Sequence, residues 1–311
     1  MKLIIQIPCL NEEEALPVTL KDMPKSIDGI DDMEILVIDD GSTDRTSEVA
    51  KEYGVNHILR FKRHVGLARA FKSGMEYSLG LGADIIVNID ADNQYCGEDI
   101  AKLVKPILAG SADMAIGDRQ ILKNNRQGPI KGILQFAGSW VVSRLSGIRI
   151  KDVTSGFRAF SREAATQLNI TSDFSYTLES IIQAGEKGLV IVDVPVKTNK
   201  PLRRSRLFRN NLHYIKRSIG TLIKIYVAYE GFRFFLTSGS LLVFSGAALV
   251  LRYLYFYVLN LNPAGHLQSL IIASVLLTMG FLVIILGILT ELICSTRKIT
   301  EEILTKIKKG K

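Results

Sequence analysis

The sequence predicts an α/β protein: a mainly parallel sheet with helices on its faces, then an amphipathic juxtamembrane helix and two transmembrane helices. Three observations predict it. Over the first 95 residues, short apolar strands alternate with stretches of helical period. After residue 230 come two long apolar runs without charge. Between these regions, Val194 to Tyr229 contains no acid but carries Lys197, Lys200, Arg203, Arg204, Arg206, Arg209, Lys216, Arg217 and Lys224.

The elements follow in order. Residues 2–7 read as a strand. Residues 11–23 read as a helix capped by Asn11, with Glu12, Glu13 and Glu14 in its first turn, where acids suit the helix dipole. Residues 33–38 form a second strand, Asp39-Asp40-Gly41-Ser42 a turn, and 43–53 a helix ended by Gly54. A third strand covers 57–61, a helix 66–79, and a fourth strand 84–89. This alternation implies βαβ units, hence parallel strands with right-handed crossovers. Ligands of such sheets bind beyond the carboxyl ends of the strands, so the polar clusters 8–12, 39–44 and 90–94 are expected to converge. Further along, 98–109 reads as a helix, and 113–116 as a strand leading into Gly117-Asp118-Arg119. Residues 130–145 and 177–187 read as helices and 190–194 as a strand.

From Phe208 through Leu212, Ile215, Ile219 and Leu222 or Ile223 to Tyr226, apolar residues recur at helical spacing opposite a basic face. That pattern suits a helix lying on a membrane surface. The runs 234–251 and 267–290 would be about 27 Å and 36 Å long as helices, enough for the bilayer core. Their loop, 259–268, has no Lys or Arg, whereas Arg297, Lys298, Lys306, Lys308, Lys309 and Lys311 follow the second run. The positive-inside rule then places both ends in the cytoplasm, with Tyr253, Tyr255 and Tyr257 in the outer interfacial belt.

The chain of 311 residues has room for about two domains. It is 47% hydrophobic, with a mean hydropathy of +0.20 and a net charge of +8. Placed just before apolar runs, the basic stretch favours anionic head groups or a phosphorylated lipid over nucleic acid. Cys9, Cys96 and Cys294 are too scattered for a disulfide framework or a zinc site, which fits a reducing compartment. The first apolar stretch ends at Pro8, too short for a signal peptide, so the N-terminal domain is expected in the cytosol.

The chemistry centres on Ile85-Ile86-Val87-Asn88-Ile89-Asp90-Ala91-Asp92-Asn93-Gln94, where an apolar strand delivers two carboxylates spaced i, i+2. Hard divalent cations prefer carboxylate and phosphate oxygens and commonly share a substrate phosphate. No Walker loop, G-x-G-x-x-G, G-x-S-x-G or H-E-x-x-H is present, and the four histidines show no ligand spacing. Any metal is therefore expected on carboxylates, with a diphosphate as the substrate.

Several motifs in order resemble the inverting family-2 glycosyltransferases of GT-A fold. They are Ile7-Pro8-Cys9-Leu10-Asn11-Glu12, Val37-Ile38-Asp39-Asp40-Gly41-Ser42-Thr43-Asp44, Gly66-Leu67-Ala68-Arg69-Ala70 with Gly74, and Asp90-Ala91-Asp92-Asn93-Gln94. Asp152-Val153-Thr154-Ser155-Gly156-Phe157-Arg158-Ala159-Phe160 and Arg204-Ser205-Arg206-Leu207 resemble the branch that glycosylates polyprenyl phosphates, which includes dolichol-phosphate mannose synthase and bacterial undecaprenyl-phosphate glycosyltransferases. The resemblance covers residues 1–230 and implies roles. Pro8, Asn11, Glu12, Asp39, Asp40, Arg69 and Asp90 would bind the nucleotide sugar. Asp90 and Asp92 would hold Mg2+ or Mn2+, and Gln94 would lie beside the sugar. Arg119, Arg126, Lys131, Arg204 and Arg206 would meet the acceptor phosphate. The catalytic set that the resemblance implies is Asp90, Asp92, Gln94 and Arg119.

The resemblance further implies a cytosolic catalytic domain over 1–206, an interfacial helix over 207–231, a membrane hairpin over 232–294 and a basic tail over 295–311, all at the plasma (inner) membrane. The partners would be a UDP- or GDP-sugar, a polyprenyl phosphate and the bilayer, without nucleic acid; a homo-oligomer stays open. Simpler readings stand beside these. Glu12 can serve only a helix N-terminus, Asp39, Asp40 and Ser155-Gly156 only turns, and Arg158 can be an ion-pair partner of Asp152. Other whole-protein readings are a transferase for another lipid, a processive synthase, and a non-catalytic nucleotide-sugar scaffold. The Q-x-x-R-W of processive synthases is missing, since the single tryptophan, Trp140, follows Ser139.

Overall fold

The computed structural model describes residues 1–120, 138–140, 142–170, 176–199, 211–259 and 267–309. The chain divides into two compact units, Met1–Thr221 and Leu222–Gly310.

The first unit is built on a seven-stranded sheet: β1 (Lys2–Cys9), β2 (Asp32–Asp39), β3 (His57–Arg60), β4 (Ile85–Asn88), β5 (Met114–Asp118), β6 (Arg158–Ser161) and β7 (Ile191–Pro195). The spatial order is β3-β2-β1-β4-β6-β5-β7. All pairs are parallel except those of β6, which runs antiparallel between β4 and β5. The helices are α1 (Leu16–Lys21), α2 (Thr46–Glu52), α3 (Leu67–Gly80), α4 (Ile100–Leu108), α5 (Arg162–Gln167) and α6 (Tyr176–Glu186), with a 3-10 turn at Gly97–Asp99 before α4. The mainly parallel sheet expected from the alternating pattern is present. β1 and β4 are buried along nearly their whole length, as strands covered on both faces must be. Leu3, Ile5, Ile7, Ile85 and Val87 meet Leu103 and Val104 of α4 in one core.

Element boundaries depart from the sequence reading where side chains compete for backbone groups. β1 runs on to Cys9, through Pro8; its pairing with β4 ends at Gln6↔Asn88, so no ladder bond to β4 is lost at the proline. α1 starts at Leu16 instead of residue 11, because Asn11 takes a left-handed backbone (φ 55°). The N–H groups of Asn11, Glu12 and Glu13 are claimed by Ser42 Oγ (3.0 Å), Thr46 Oγ1 (2.9 Å) and Asp44 Oδ2 (3.1 Å). What reads as a helix start is a turn docked on the loop before α2. β6 and α5 were not expected. β6 has four residues and opens with an arginine, too little for an alternating pattern to register. Of the expected helix at 130–145, residues 130–137 and 141 lie outside the described residues, while 138–140 and 142–146 are helical.

The second unit lies on α7 (Asn211–Val258), which enters it from the first, and α8 (Leu267–Lys309). α7 leaves helical geometry at Glu230 (φ −126°, ψ 32°). Tyr229–Val258 and Leu267–Thr296, 30 residues each, are long and apolar enough to cross a membrane. Both exceed the charge-free runs, since the first span carries Glu230, Arg233 and Arg252 and the second Glu291. Small residues let the two helices approach. A Cβ on Gly280 would lie 2.9 Å from the Gly239 carbonyl oxygen, and one on Gly246 3.1 Å from that of Ala273. Their outward faces carry Leu241, Phe244, Ile285 and Leu289, all exposed. Residues 260–266 of the expected loop lie outside the described residues.

Candidate active site

Strand order places the site. β1, β2 and β3 step one way along the sheet and β4 the other, so the order reverses between β1 and β4 and opens a crevice at their carboxyl ends. Because β6 is antiparallel, its amino end reaches the same rim. The rim therefore collects residues 8–12, 39–44 and 90–94, Arg119 after β5, and Ser155-Gly156 before β6.

Asp90 follows β4 by two residues and keeps only part of its surface in water. Burial, reinforced by the neighbouring Asp92 carboxylate and partly offset by Arg119 and Arg158, pushes its carboxyl up to about 7. Gly156 packs directly against it: a Cβ there would lie 2.8 and 2.9 Å from the two Asp90 oxygens. The Asp92 Oδ1 accepts the Gln94 N–H (3.1 Å), which shapes the turn around Asn93 (φ 54°). Two braces hold this turn. Thr19 of α1 donates its hydroxyl to the Ala91 carbonyl (2.8 Å). On the other side Asn199 donates its N–H to the Gln94 carbonyl (2.9 Å) and its Nδ2 to the Tyr95 carbonyl (3.2 Å), while Thr198 bridges Tyr95.

Asp39 and Asp40 are buried, and each closes a loop. Asp39 accepts from Ser42 N (2.7 Å) and the Ser47 hydroxyl, and pairs with Arg60 Nε (3.3 Å). Asp40 accepts from Val65 N (2.7 Å) and Gly66 N (3.0 Å), with His64 Nδ1 at 2.8 Å. Both thus act at least as the turn residues of the simpler reading. Gly41 between them has φ 75°, and a Cβ there would lie 2.5 Å from the Arg63 carbonyl carbon, so the position requires glycine. Asn11 Oδ1 accepts from Thr43 N (2.8 Å), joining the first cluster to the second. Pro8 is buried, Glu12 half-buried, and Arg69 exposed in the first turn of α3.

Arg119 grips Asp152 with two prongs, Nε to Oδ2 (2.7 Å) and Nη2 to Oδ1 (2.9 Å), and Nη2 also reaches Thr154 Oγ1 (2.8 Å). Burial would raise the Asp152 carboxyl; the Arg119 and Thr154 hydrogen bonds overcome it and hold the group below the ordinary carboxylate range. Asp152 therefore pairs with Arg119, which corrects the simpler reading that pairs it with Arg158. Arg158 is fully buried and donates to the carbonyls of Ser155 (2.7 Å), Thr177 (2.7 Å) and Val153 (2.8 Å) and to Ser180 Oγ (2.7 Å). Without a carboxylate on it, burial brings its guanidinium down to about 10. Arg126, Lys131, Arg204 and Arg206 lie outside the described residues.

Among the described residues no three His, Cys, Asp or Glu side chains converge as a metal cluster. The protein's offer is the Asp90–Asp92 pair. That fits Mg2+ or Mn2+, which bind through one or two carboxylates plus water and substrate phosphate, and a cation would relieve the two crowded carboxyls. The sequence reading left out Asn88, Tyr176, Thr19, Asn199 and Gln120. One signal was available for Asn88: an amide inside an otherwise apolar strand. Gln120, with φ 51°, joins Asn11 and Asn93 as the non-glycine residues of left-handed backbone among the described residues. All three follow strands at this rim, where strain of this kind commonly marks function.

The family model described as glycosyl transferase family 2 matches residues 4–168. An uncharacterised protein of Methanocaldococcus jannaschii is 38% identical over 205 residues, covering 63% of this chain and 81% of that one. The polyprenol monophosphomannose synthase of Mycolicibacterium smegmatis is 28% identical over 221 residues, covering 67% and 82%. Among solved structures, glucosyl-3-phosphoglycerate synthase of Mycobacterium tuberculosis, crystallised with Mn2+, UDP and glucosyl-3-phosphoglycerate, superposes with a TM-score of 0.58. It is 21% identical and covers 74% of this chain and 80% of its own, a likeness of fold. With the family match spanning more than half of the sequence and the sheet that of GT-A proteins, the chain belongs to glycosyl transferase family 2 and is a glycosyltransferase.

Proposed function

We propose that this glycosyltransferase moves a sugar, with inversion, from a UDP- or GDP-sugar to a polyprenyl phosphate at the cytosolic face of the plasma (inner) membrane. The observation that carries the reading is the Asp90–Asp92 pair at the reversal of the sheet, in a chain that also holds two membrane-length apolar helices. The Mycolicibacterium relative, whose name specifies polyprenol and mannose, supports the acceptor class. The division of labour is 1–206 for catalysis, 207–231 for the interface, 232–294 for the membrane hairpin and 295–311 for a basic tail. The catalytic domain and both termini then lie in the cytoplasm.

A divalent ion, Mg2+ or Mn2+, on Asp90 and Asp92 would neutralise charge on the departing nucleoside diphosphate. The chain's own residues orient the reactants. Pro8, Asn11, Glu12, Asp39, Asp40 and Arg69 line the nucleotide side, with Asp39 and Asp40 holding the loops around it. Gln94 flanks the sugar, its backbone fixed by Asp92 and Asn199. Arg119, Arg126, Lys131, Arg204 and Arg206 supply positive charge for the acceptor phosphate; guanidinium matches phosphate oxygens in a planar fork, and because that of Arg119 is closed on Asp152 the bidentate grip falls to the other arginines. A phosphate monoester has a second pKa of about 6 and is already an anion at neutral pH. Its oxygen attacks the anomeric carbon as the bond to the diphosphate oxygen breaks, and no side chain needs to remove a proton. Positioning and electrostatics do the catalytic work.

The test uses the full-length protein in detergent with undecaprenyl phosphate and a panel of radiolabelled UDP- and GDP-sugars. Metal-dependent label in an acid-labile, organic-extractable lipid is expected from one donor. Label on diacylglycerol instead would redirect the acceptor, and binding without transfer across the panel would overturn catalysis.

A further inference from the structure

β1 and β4 lie in the interior of the sheet, where both faces are covered and apolar side chains are the rule. Each nevertheless carries one amide, and the register pairs them: Gln6 opposite Asn88, both fully buried. Gln6 Nε2 donates to Asn88 Oδ1 (3.0 Å). Asn88 Nδ2 donates to the Gly156 carbonyl (2.8 Å) and to the Tyr176 hydroxyl oxygen (3.2 Å). Gln6 Oε1 has no hydrogen-bond partner. Burying two amides, one only half satisfied, costs stability that a pair of aliphatic side chains would not. The network runs toward the rim and ends there on a phenol.

That phenol is rigidly placed. The Tyr176 ring stacks on Phe71 of α3, with centroids 4.1 Å apart and planes at 17°, and Phe71 meets Phe160 edge-on. The hydroxyl oxygen already accepts from Asn88, so its own hydrogen is available to an acceptor elsewhere. Gly156 defines what lies opposite. The point its Cβ would occupy is 2.9 Å from the Tyr176 hydroxyl and 2.8 and 2.9 Å from the two Asp90 oxygens. Phenol and carboxylate thus face each other across the bare side of one glycine.

We propose that Tyr176 is a positioning residue for Asp90: oriented by Asn88 and Phe71, its hydroxyl orders the Asp90 carboxylate across Gly156 through one bridging water, for divalent-ion binding. The inference rests on the reading of Asp90 and Asp92 as the metal pair and extends it by one layer. Partners of this kind behind a ligand are commonly worth about 10-fold or more in metal affinity.

The experiment titrates Mn2+ into full-length protein in detergent, in separate UDP and GDP arms, and follows free Mn2+ by electron paramagnetic resonance. Tyr176→Phe keeps the ring and its stacking but removes the hydroxyl. The expected result is Mn2+ binding weakened about 10-fold in protein whose near-ultraviolet circular dichroism matches wild type. Binding within about twofold of wild type in folded Tyr176→Phe overturns the inference. Should that variant fail to fold, Asn88→Ala decides, since it removes the amide that orients the phenol and places no new atom against Asp90: weakened Mn2+ binding supports the proposal, unchanged binding overturns it. If wild type binds no Mn2+ in either arm, the metal pair falls and this inference falls with it. Wild-type binding lost in Asp92→Asn but unaltered in Tyr176→Phe refutes only the role of Tyr176.

Discussion

Arg119 and Asp152 form a two-pronged ion pair just inside the rim at the carboxyl ends of the strands, with N–O distances of 2.7 and 2.9 Å. The Asp152 side chain is 2% exposed and that of Arg119 13%. Such a pair adds little net stability when intact, because desolvation offsets attraction, but removing one partner strands a buried charge. Asp152→Ala is therefore expected to cost about 3–5 kcal/mol, read as a lower midpoint in chemical denaturation of the catalytic unit. An unchanged midpoint would mean that Arg119 finds water or another acceptor.

Asp92→Asn removes charge from the rim without removing packing, since Asp92 is only half-buried. Turnover is expected to fall by at least about 100-fold, with Tm within a few degrees of wild type. Wild-type turnover in the purified variant would refute the place of Asp92 at the metal.

Asp90 makes stability depend on pH. Its folded pKa of about 7 lies above the ordinary 3.8, so the folded state holds a proton that the unfolded state releases. This contribution is fully present below about pH 4 and is lost as pH rises through 7. At pH 8, without divalent ions, Asp90→Asn is expected to be more stable than wild type, with the gap closing toward pH 4. About 4 kcal/mol is an upper bound, lowered by the water that still reaches the carboxyl. Mn2+ should stabilise wild type and leave the variant nearly unmoved. Denaturation at pH 4, 6 and 8 with and without Mn2+ checks each sign.

In the membrane-length pair, a Cβ on Gly280 would lie 2.6 Å from Val243 Cγ2 and 2.9 Å from the Gly239 oxygen. Gly280→Leu is expected to pry α7 and α8 apart at a cost of about 1–3 kcal/mol, seen as a lower Tm in detergent. Leu289→Val on the outward face should stay within about 0.5 kcal/mol. Equal effects would indicate that the seam is loosely packed.

The sequence was most legible where one signal dominated. Ile85-Ile86-Val87 could only be a buried strand, and the acids after it could only sit at its carboxyl end. Legibility ended where polar side chains replaced backbone partners. The left-handed backbone of Asn11 stops a helix from starting there, and Ser42, Asp44 and Thr46 hold the N–H groups of residues 11–13, contacts between segments more than 30 residues apart that no local pattern records. β6 was hidden because Arg158 looks like a surface residue, yet four oxygen acceptors in the fold allow its burial. The surroundings of Asp90 were hidden for the same reason: Gly156, 66 residues away in sequence, packs against it only once β6 is antiparallel, with the Tyr176 hydroxyl on the other side of that glycine.

The strap after β7 has a practical consequence for dissecting the protein. The sheet is complete at Pro195, which makes that residue an inviting end for a soluble fragment. The residues that follow, however, tie down the turn proposed for catalysis and the segment after it: Lys197 N–H donates to Asp99 (2.6 Å), Thr198 bridges Tyr95, and Asn199 fastens the carbonyls of Gln94 and Tyr95. A fragment cut at Pro195 would keep every strand and release the turn that carries Asp92 and Gln94, yielding a folded but crippled enzyme. One cut after Asn199 would retain the latch, and comparing the two would separate the architecture of the sheet from the hydrogen bonds that keep this edge in shape.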